Sequence, residues 1–374
     1  MKIAIATGPF IPPPPGPAGA VERLTLDLAR RFAARGHEVT LLSRRHGGAP
    51  SLESVEGVCH VRLRGSRSTK NVYVNILKDL PYSLAAARAL PEADIWVLNA
   101  FWLPWLAVRR RRQGGARIVV AAHRYPKGQY KLYRGVDRIT AVSQAVARAI
   151  VAQAPWSKDL VNVIPNPIDT DAFTPVERHF GARPRFLYAG RIHPEKGLEL
   201  LIAAFARIAP GIPGATLTIM GAWQAKQGGG GAAYLERLRV LAGSAPVSFR
   251  DPVFERRSFA LALQSSDIFV YPSIAEQGEA FGVAPLEAMA TGAVAVVSAL
   301  DCFRDFLTDG ATGLVFNHRS PTAVEELAAL LSRIAADPAT LERLSAAGAA
   351  KAREFDCERV SEYHLADYAA LLAR

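Results

Sequence analysis

The 374-residue sequence predicts an α/β protein of two Rossmann-like domains, each a parallel sheet wrapped by helices, facing a deep interdomain cleft. Three observations carry that prediction. Strand-like and helix-like patterns alternate from one end of the chain to the other. The alternation stops once, near Val161-Asn-Val-Ile-Pro-Asn-Pro-Ile168, and restarts as a new first strand at Arg185-Phe-Leu-Tyr-Ala-Gly190. The length exceeds one ordinary core and fits two of about 150 to 200 residues each.

The first domain, residues 1–168, opens with a strand at Lys2–Ala6 and a Pro- and Gly-rich loop from Gly8 to Gly19. A helix follows, with Val21, Leu24, Leu28 and Phe32 on one stripe, and it ends at Gly36. Apolar runs predict further strands at Glu38–Leu42, Val58–Leu63, Asp94–Leu98, Arg117–Ala122 and Arg138–Val142. Helical spacing places helices at Ile76–Leu90, Pro104–Gln113 and Gln144–Gln153. In the second domain, residues 169–355, strands are predicted at Thr216–Met220, Val247–Phe249, Asp267–Tyr271, Ala293–Ser298 and Leu314–Phe316. Its helices are Glu199–Ala209, Gly282–Ala290 and Pro321–Ala336, and Gly228-Gly-Gly-Gly231 reads as a mobile surface loop. A closing segment, residues 356–374, is helical over Glu358–Arg374.

Half of the residues are hydrophobic and 21% are charged, which excludes a disordered chain. Three scattered cysteines (Cys59, Cys302, Cys357) give neither a disulfide framework nor a metal spacing. The histidines show no ligand spacing either, so no metal site is expected. Met1–Ala6 is too short for a signal peptide, and no apolar run approaches the roughly 20 residues that cross a bilayer. The expectation is a soluble, cytoplasmic protein. The net charge of +11 is concentrated in the first half, where Arg109-Arg-Arg-Arg112 follows Phe101-Trp-Leu-Pro-Trp105. An anionic partner suits it: nucleotide phosphates, anionic lipid or nucleic acid.

The site signal is strongest in Glu279-Ala-Phe-Gly-Val-Ala-Pro-Leu-Glu287, which follows the buried-strand run Asp267-Ile-Phe-Val-Tyr-Pro-Ser273. Glu279 falls in the loop, and Glu287 sits eight residues on, in an otherwise apolar helix. Both lie at the carboxyl edge of a strand, where an open α/β sheet binds ligands. The N–H groups from Phe281 through Gly282 and Val283 to Ala284 begin the helix unpartnered and offer an anion seat. A lone glutamate near a helix start is ordinarily a cap, and one inside a helix ordinarily faces water; neither accounts for Phe281-Gly282 between them.

A second signal is Gly190-Arg-Ile-His-Pro-Glu-Lys-Gly197, which presents Arg191 and Lys196 just after a strand. Arginine offers a planar fork to phosphate oxygens and lysine a compact charge, so together they neutralise a diphosphate without a metal. Solvated charges would be the plain alternative. A third is Gly16-Pro-Ala-Gly19-Ala-Val-Glu22, whose glycines permit close backbone approach but miss the dinucleotide fingerprint. A fourth is His123, ending the strand Ile118-Val-Val-Ala-Ala-His123. Nucleic-acid binding would explain the charge yet leave the carboxylate pair unused, so no nucleic-acid partner is expected.

Together these residues resemble the family-4 retaining glycosyltransferases of the GT-B fold across essentially the whole chain. Gly190-Arg191, Lys196-Gly197, Glu279-Ala-Phe-Gly282, Glu287-Ala-Met-Ala290 and Gly292 carry the likeness. Gly36-His-Glu-Val39, Pro165-Asn166 with Asp169 and Phe173, and Asp309-Gly310 with Thr312-Gly313-Leu314 support it. The resemblance implies a nucleotide-diphospho-sugar donor, UDP- or GDP-linked, bound mainly by the second domain, with no cofactor. It implies that Arg191 and Lys196 hold the diphosphate, Glu287 the ribose, and Glu279 the donor sugar beside the backbone of Ala280, Phe281, Gly282 and Val283. His123 would meet the donor sugar from the first domain, Gly16 and Gly19 would admit the diphosphate and acceptor, and the last helix would cross back to the first domain. Catalytic roles then fall to His123, Glu279, Arg191 and Lys196.

The implied chemistry is metal-independent hexosyl transfer with retention, by front-face attack assisted by the leaving phosphate. The alternatives are a non-catalytic sugar-nucleotide-binding or membrane-docked scaffold, or a GT-B epimerase. The chain departs from the family pattern at Ala299-Leu-Asp-Cys-Phe303, where a Gly pair is usual, and at Pro167, where a glycine is usual. Arg124, Tyr125 and Lys127 are the candidate acceptor residues. With Trp102, Trp105, Arg109–Arg112 and Lys131 they suit a glycan or lipid-linked envelope acceptor, as in polysaccharide or lipopolysaccharide assembly. Peripheral contact with an anionic inner face of the plasma membrane is the corresponding expectation.

Overall fold

The computed structural model describes residues 1–14, 19–111, 115–181 and 183–373. It divides into two units, Met1–Pro167 with Cys357–Arg374, and Ile168–Asp356. Gly16, Arg112, Gln113 and Arg374 lie outside the described residues.

The first unit contains β1 (Lys2–Ala6), α1 (Ala20–Ala34), β2 (Glu38–Arg44), β3 (Leu52–Val55), β4 (Val58–Leu63), α2 (Val72–Ala89), β5 (Ile95–Leu98), α3 (Leu103–Arg110), β6 (Arg117–Ala122), β7 (Arg138–Ala141), α4 (Gln144–Gln153) and β8 (Val161–Val163). The sheet order is β3-β4-β2-β1-β5-β6-β7-β8, parallel throughout except for β3, which pairs antiparallel with β4. That hairpin is absent from the sequence reading because Leu52–Val55 is an exposed edge segment without a buried run. The reading also lacks β8, a three-residue, half-buried edge strand inside the Val161–Ile168 stretch where the pattern stops. The other parallel strands read correctly because they are covered on both faces, and β1, β5 and β7 are buried along nearly their whole length.

The C-terminal helix, Cys357–Leu372, belongs to this unit. Tyr368 and His364 meet Phe32 of α1 edge-on, at 6.1 and 6.3 Å between ring centroids. Arg31 and Arg35 bridge to Glu358 at 3.0 and 2.8 Å. Asp367 is buried between Arg138 and Asn162, 3.0 Å from each. The aromatic contacts anchor the helix, and the buried carboxylate sets its rotation.

The second unit contains β9 (Arg185–Ala189), α5 (Leu198–Ile208), β10 (Thr216–Met220), α6 (Ala232–Ala242), β11 (Val247–Arg250), α7 (Arg256–Gln264), β12 (Ile268–Tyr271), α8 (Val283–Ala290), β13 (Val294–Ser298), β14 (Leu314–Phe316), α9 (Ala323–Ala335) and α10 (Pro338–Ala352). All six strands are parallel, in the order β11-β10-β9-β12-β13-β14. Strand order reverses at β9/β12 here and at β1/β5 in the first unit. Ligands of open α/β sheets lie outside the carboxyl ends of the strands at such switch points. The connections leaving β9 and β12 are therefore where a site belongs.

Candidate active site

In the second unit the connection leaving β9 is shaped by glycine. A Cβ on Gly221 would stand 1.6 Å from the carbonyl oxygen of Gly190, so the exits of β9 and β10 pass closer than any side chain permits. Pro194–Lys196 then forms a single 3₁₀ turn, closed by Gly197 at φ +64°. A Cβ there would meet the Pro272 carbonyl oxygen at 2.1 Å. These contacts fix Lys196 beside the β12 exit.

The Lys196 Nζ lies 2.6 Å from Glu279 Oε2, and both residues are buried, at 6% and 9% exposure. The ammonium also stands 5.4 Å from the Tyr271 ring, which stacks on Tyr188. Burial raises the pKa of both phenols, and the Glu279 charge adds to the shift. A buried ion pair is costly to assemble unless function or further hydrogen bonds retain it. Its placement at the switch point is the feature that a merely structural pair would not need.

The loop carrying Glu279 is held from several sides. Ile274 donates its N–H to the Glu195 carbonyl (3.0 Å), and Ser273 donates its hydroxyl to the same oxygen (3.3 Å). Three residues before Glu279, the Glu276 carboxylate receives the Arg319 fork at 2.7 and 2.8 Å and His318 Nε2 at 2.9 Å. Arg319 holds Glu276 below the ordinary carboxylate range. Its remaining nitrogen donates to the Ala299 carbonyl at 2.9 Å. The sequence reading missed this clamp because Glu276 and Arg319 are 43 residues apart and match no motif.

Gly282 begins α8 at φ +85°, and a Cβ there would press on the Phe303 ring at 2.5 Å. No side chain caps the helix, which leaves its first N–H groups open to an anion. Phe281 is 1% exposed and packs on Phe306 and Phe355. Its side chain is core; only its backbone can serve a ligand. Ala280 and Val283 flank it half-buried, and Glu287 is half-buried on the second turn of α8.

Arg191 is engaged: one guanidinium nitrogen lies 2.5 Å from Glu195 Oε1 and another donates to the Gly228 carbonyl at 2.9 Å. The glycine run that read as a mobile loop is stitched down beside it. Gly230 donates to Ile192 O (2.8 Å) and Gly231 to Trp223 O (2.8 Å), and a Cβ on Gly229 would sit 2.2 Å from Trp223 backbone. The glycines serve close packing rather than freedom, which composition alone does not distinguish.

In the first unit, Gly19 is the N-cap of α1, and a Cβ on it would lie 2.6 Å from Glu22 Oε2. Glu22 is buried, and that burial raises its pKa against the opposing pull of its own and Gly19 backbone hydrogen bonds and the Arg124 charge. His123 follows β6 and reaches Asn166 Oδ1 through Nδ1 at 3.4 Å. Both line a cavity of about 40 Å³ with Thr7, Asn99, His364 and Tyr368. The Thr140 hydroxyl in its wall is buried without a partner. That is room and polarity for one or two waters. Arg124, Tyr125 and Lys127 follow in the same connection; Arg124 and Lys127 are exposed and Tyr125 is half-buried.

Burial pushes the His123 pKa down to about 4 and that of His364 to about 3, with the His123 charge adding to the latter. The unfolded chain, at about 6.5, binds these protons first, so stability is full above pH 6.5 and is lost as pH falls toward 4. Allowing for partial solvent access to both rings, the loss at pH 4.5 is on the order of 2 kcal/mol. Melting midpoints at pH 7.5 and 4.5 should therefore differ less for His364→Phe than for the wild type. Equal acid sensitivity in the two proteins would contradict this origin.

Among the described residues no group of three His, Cys, Asp or Glu side chains is arranged to hold a metal ion, and no helix is long and apolar enough to cross a membrane.

Residues 169–351 match the family described as glycosyl transferases group 1, and residues 21–172 match Glycosyltransferase Family 4. The chain is a family-4 glycosyltransferase. The D-inositol 3-phosphate glycosyltransferase of Streptomyces scabiei is 27% identical to it, covering 94% of this chain and 86% of that protein. That of Arthrobacter sp. is also 27% identical, over 98% and 94%. Sucrose-phosphate synthase from Thermosynechococcus elongatus shares the fold at TM-score 0.79 and 22% identity, over 100% and 99% of the two chains. Anabaena HepE in complex with UDP does so at 0.75 and 18%, over 99% and 100%. These neighbours establish the GT-B fold for the glycosyltransferase, as the two parallel-sheet units lead one to expect.

Proposed function

We propose that this glycosyltransferase moves a hexosyl group from a UDP- or GDP-sugar to an anionic acceptor, with retention and without a metal. The observation that carries the reading is the buried Lys196–Glu279 pair beside the uncapped start of α8. Lys196 and the open α8 N–H groups would receive the charge that develops on the leaving diphosphate, and Arg191 would join them by exchanging Glu195 for phosphate. Glu279 would take the donor-sugar hydroxyls, Glu287 the ribose, and the neutral His123 imidazole a further sugar hydroxyl, with Gly16 and Gly19 leaving room for ligand. In the transfer, the anomeric carbon–oxygen bond to the diphosphate breaks and the acceptor hydroxyl bonds to the same face. The acceptor's proton goes to the departing phosphate oxygen, so no protein nucleophile is required.

Arg124, Tyr125 and Lys127 are the acceptor residues in this reading. The relatives named for inositol 3-phosphate and the UDP-bound neighbour are consistent with a phosphorylated acceptor and a uridine donor. Thermal unfolding against UDP, GDP and ADP, without added metal, tests it. One nucleotide should raise the midpoint in proportion to ln(1 + [L]/Kd). No shift with any of them at millimolar concentration would defeat the donor assignment.

A further inference from the structure

The positive charge of the chain is confined. From Gly57 to Val136 there are fifteen Lys and Arg against three Asp and Glu, a net +12, whereas the whole protein carries +11. The rest of the molecule is therefore close to neutral. The connections leaving β4, β5 and β6 (residues 64–71, 99–102 and 123–137) contain Arg64, Arg67, Lys70, Arg124, Lys127, Lys131 and Arg134, and their one acidic residue, Asp137, is paired with Arg111 and Arg117. All three leave the carboxyl edge of one parallel sheet. Of the carboxylates near this edge, Glu22 is buried and Asp79 is consumed. Asp79, 3% exposed, accepts from the N–H groups of Phe101 and Trp102 at the start of α3 and from the Ser83 hydroxyl.

The first turns of α2 rise from this cationic edge with an apolar face outward. Tyr73 is 80% exposed and Leu77, one turn on, 69%; Val72 and Val74 flank them at 48% and 37%. Asn71 caps the helix through Tyr73 and Val74, so this is ordered helix. The basic connection folds onto it: Lys78 donates to the Arg67 carbonyl at 3.3 Å, and Asn75 exchanges hydrogen bonds with Thr69. Single exposed apolar residues are ordinary, but four within two turns beside a basic connection are not.

The aromatic and arginine cluster expected from the sequence is more heavily committed. Trp102 is half-buried and donates to the Ile76 carbonyl, Trp105 lies 3.5 Å beneath the Arg109 guanidinium, and Arg111 is bonded to Asp137.

We propose that the start of α2 and its flanking basic connections dock this enzyme onto an anionic lipid bilayer. Tyr73 and Leu77 would enter the headgroup region, and Arg64, Arg67 and Lys70 would contact lipid phosphates. The inference deepens the anionic-acceptor reading above, since it places that acceptor at a membrane surface. Charge complementarity selects an anionic partner, and the apolar ridge selects an amphiphilic one. A soluble sugar phosphate or a nucleic acid would satisfy the cations and leave Leu77 in water.

The test is co-sedimentation of the full chain with phosphatidylcholine vesicles, with and without phosphatidylglycerol, at about 50 and 500 mM salt. Binding is expected only to the anionic vesicles, and high salt should weaken it. Tyr73→Ser/Leu77→Ser should lower partitioning roughly tenfold or more, as two exposed side chains leave the headgroup region. Arg67→Glu/Lys70→Glu should abolish it. The same variants should keep any nucleotide-induced midpoint shift of the wild type. No binding to anionic vesicles overturns the proposal, and so does binding that Tyr73→Ser/Leu77→Ser leaves unchanged. Self-association without lipid that this double substitution abolishes would make the ridge a contact between copies and overturn it as well. Vesicle binding in a protein that shows no nucleotide shift would leave the docking surface standing and defeat the donor assignment alone.

Discussion

Lys196→Ala is expected to lower kcat/KM by about 10²–10³, the loss that follows removal of one preorganised group facing transition-state charge. It should also erase the nucleotide-induced rise in melting midpoint. The substitution has a second consequence, because Glu279 then remains buried without its cation. Stability should fall by about 3 kcal/mol unless the carboxyl takes up a proton. The two effects separate in the double variant Lys196→Ala/Glu279→Gln. That protein should regain most of the lost stability, since no charge stays buried, and should be no more active than Lys196→Ala. Activity within threefold of wild type in Lys196→Ala would remove Lys196 from the chemistry. A double variant no more stable than Lys196→Ala would show that the pair is not what the single change breaks.

Gly197→Ala is expected to destabilise the second unit by about 3 kcal/mol or more, from a left-handed φ combined with a backbone collision. Its φ of +64° costs an alanine about 1 kcal/mol, and the added Cβ would stand 2.1 Å from the Pro272 carbonyl oxygen. The chain can relieve that contact only by moving the Lys196 turn away from the β12 exit, which would also weaken nucleotide binding. Gly310→Ala is the matched control. Gly310 has φ +70° in the same unit, and nothing lies within 4 Å of the new Cβ. Calorimetry should place the Gly197→Ala midpoint several degrees below that of Gly310→Ala. Equal midpoints would mean that backbone conformation alone sets the cost.

Much of the fold was legible because parallel strands buried on both faces advertise themselves. Lys2–Ala6, Val58–Leu63, Arg117–Ala122, Thr216–Met220 and Leu314–Phe316 read at their observed ends. What the reading omitted has weaker signals. β3 is a short exposed edge strand, and α6, α7 and α10 follow turns in segments where apolar spacing is diluted by charge and alanine. The Gly228–Gly231 run shows the limit of composition. Four glycines announce freedom in a linker, yet here they allow Trp223, Ile192 and Arg191 to close on the backbone.

The sequence by itself determined the two-sheet α/β class, the restart near Arg185, the family, and the residues that converge at the β9 and β12 exits. Those features are local: strand runs, turn residues, and charges at fixed offsets from strand ends. The tertiary structure alone decided that Lys196 pairs with Glu279, that Arg191 is already held by Glu195 and Gly228, and that Arg319 clamps Glu276. It also decided that the C-terminal helix brings His364 and Tyr368 to the cavity beside His123, and that the exposed apolar ridge belongs to Tyr73 and Leu77. Each of these joins elements distant in the chain or depends on which face is covered. Periodicity fixes which residues share a face; only packing fixes what that face meets.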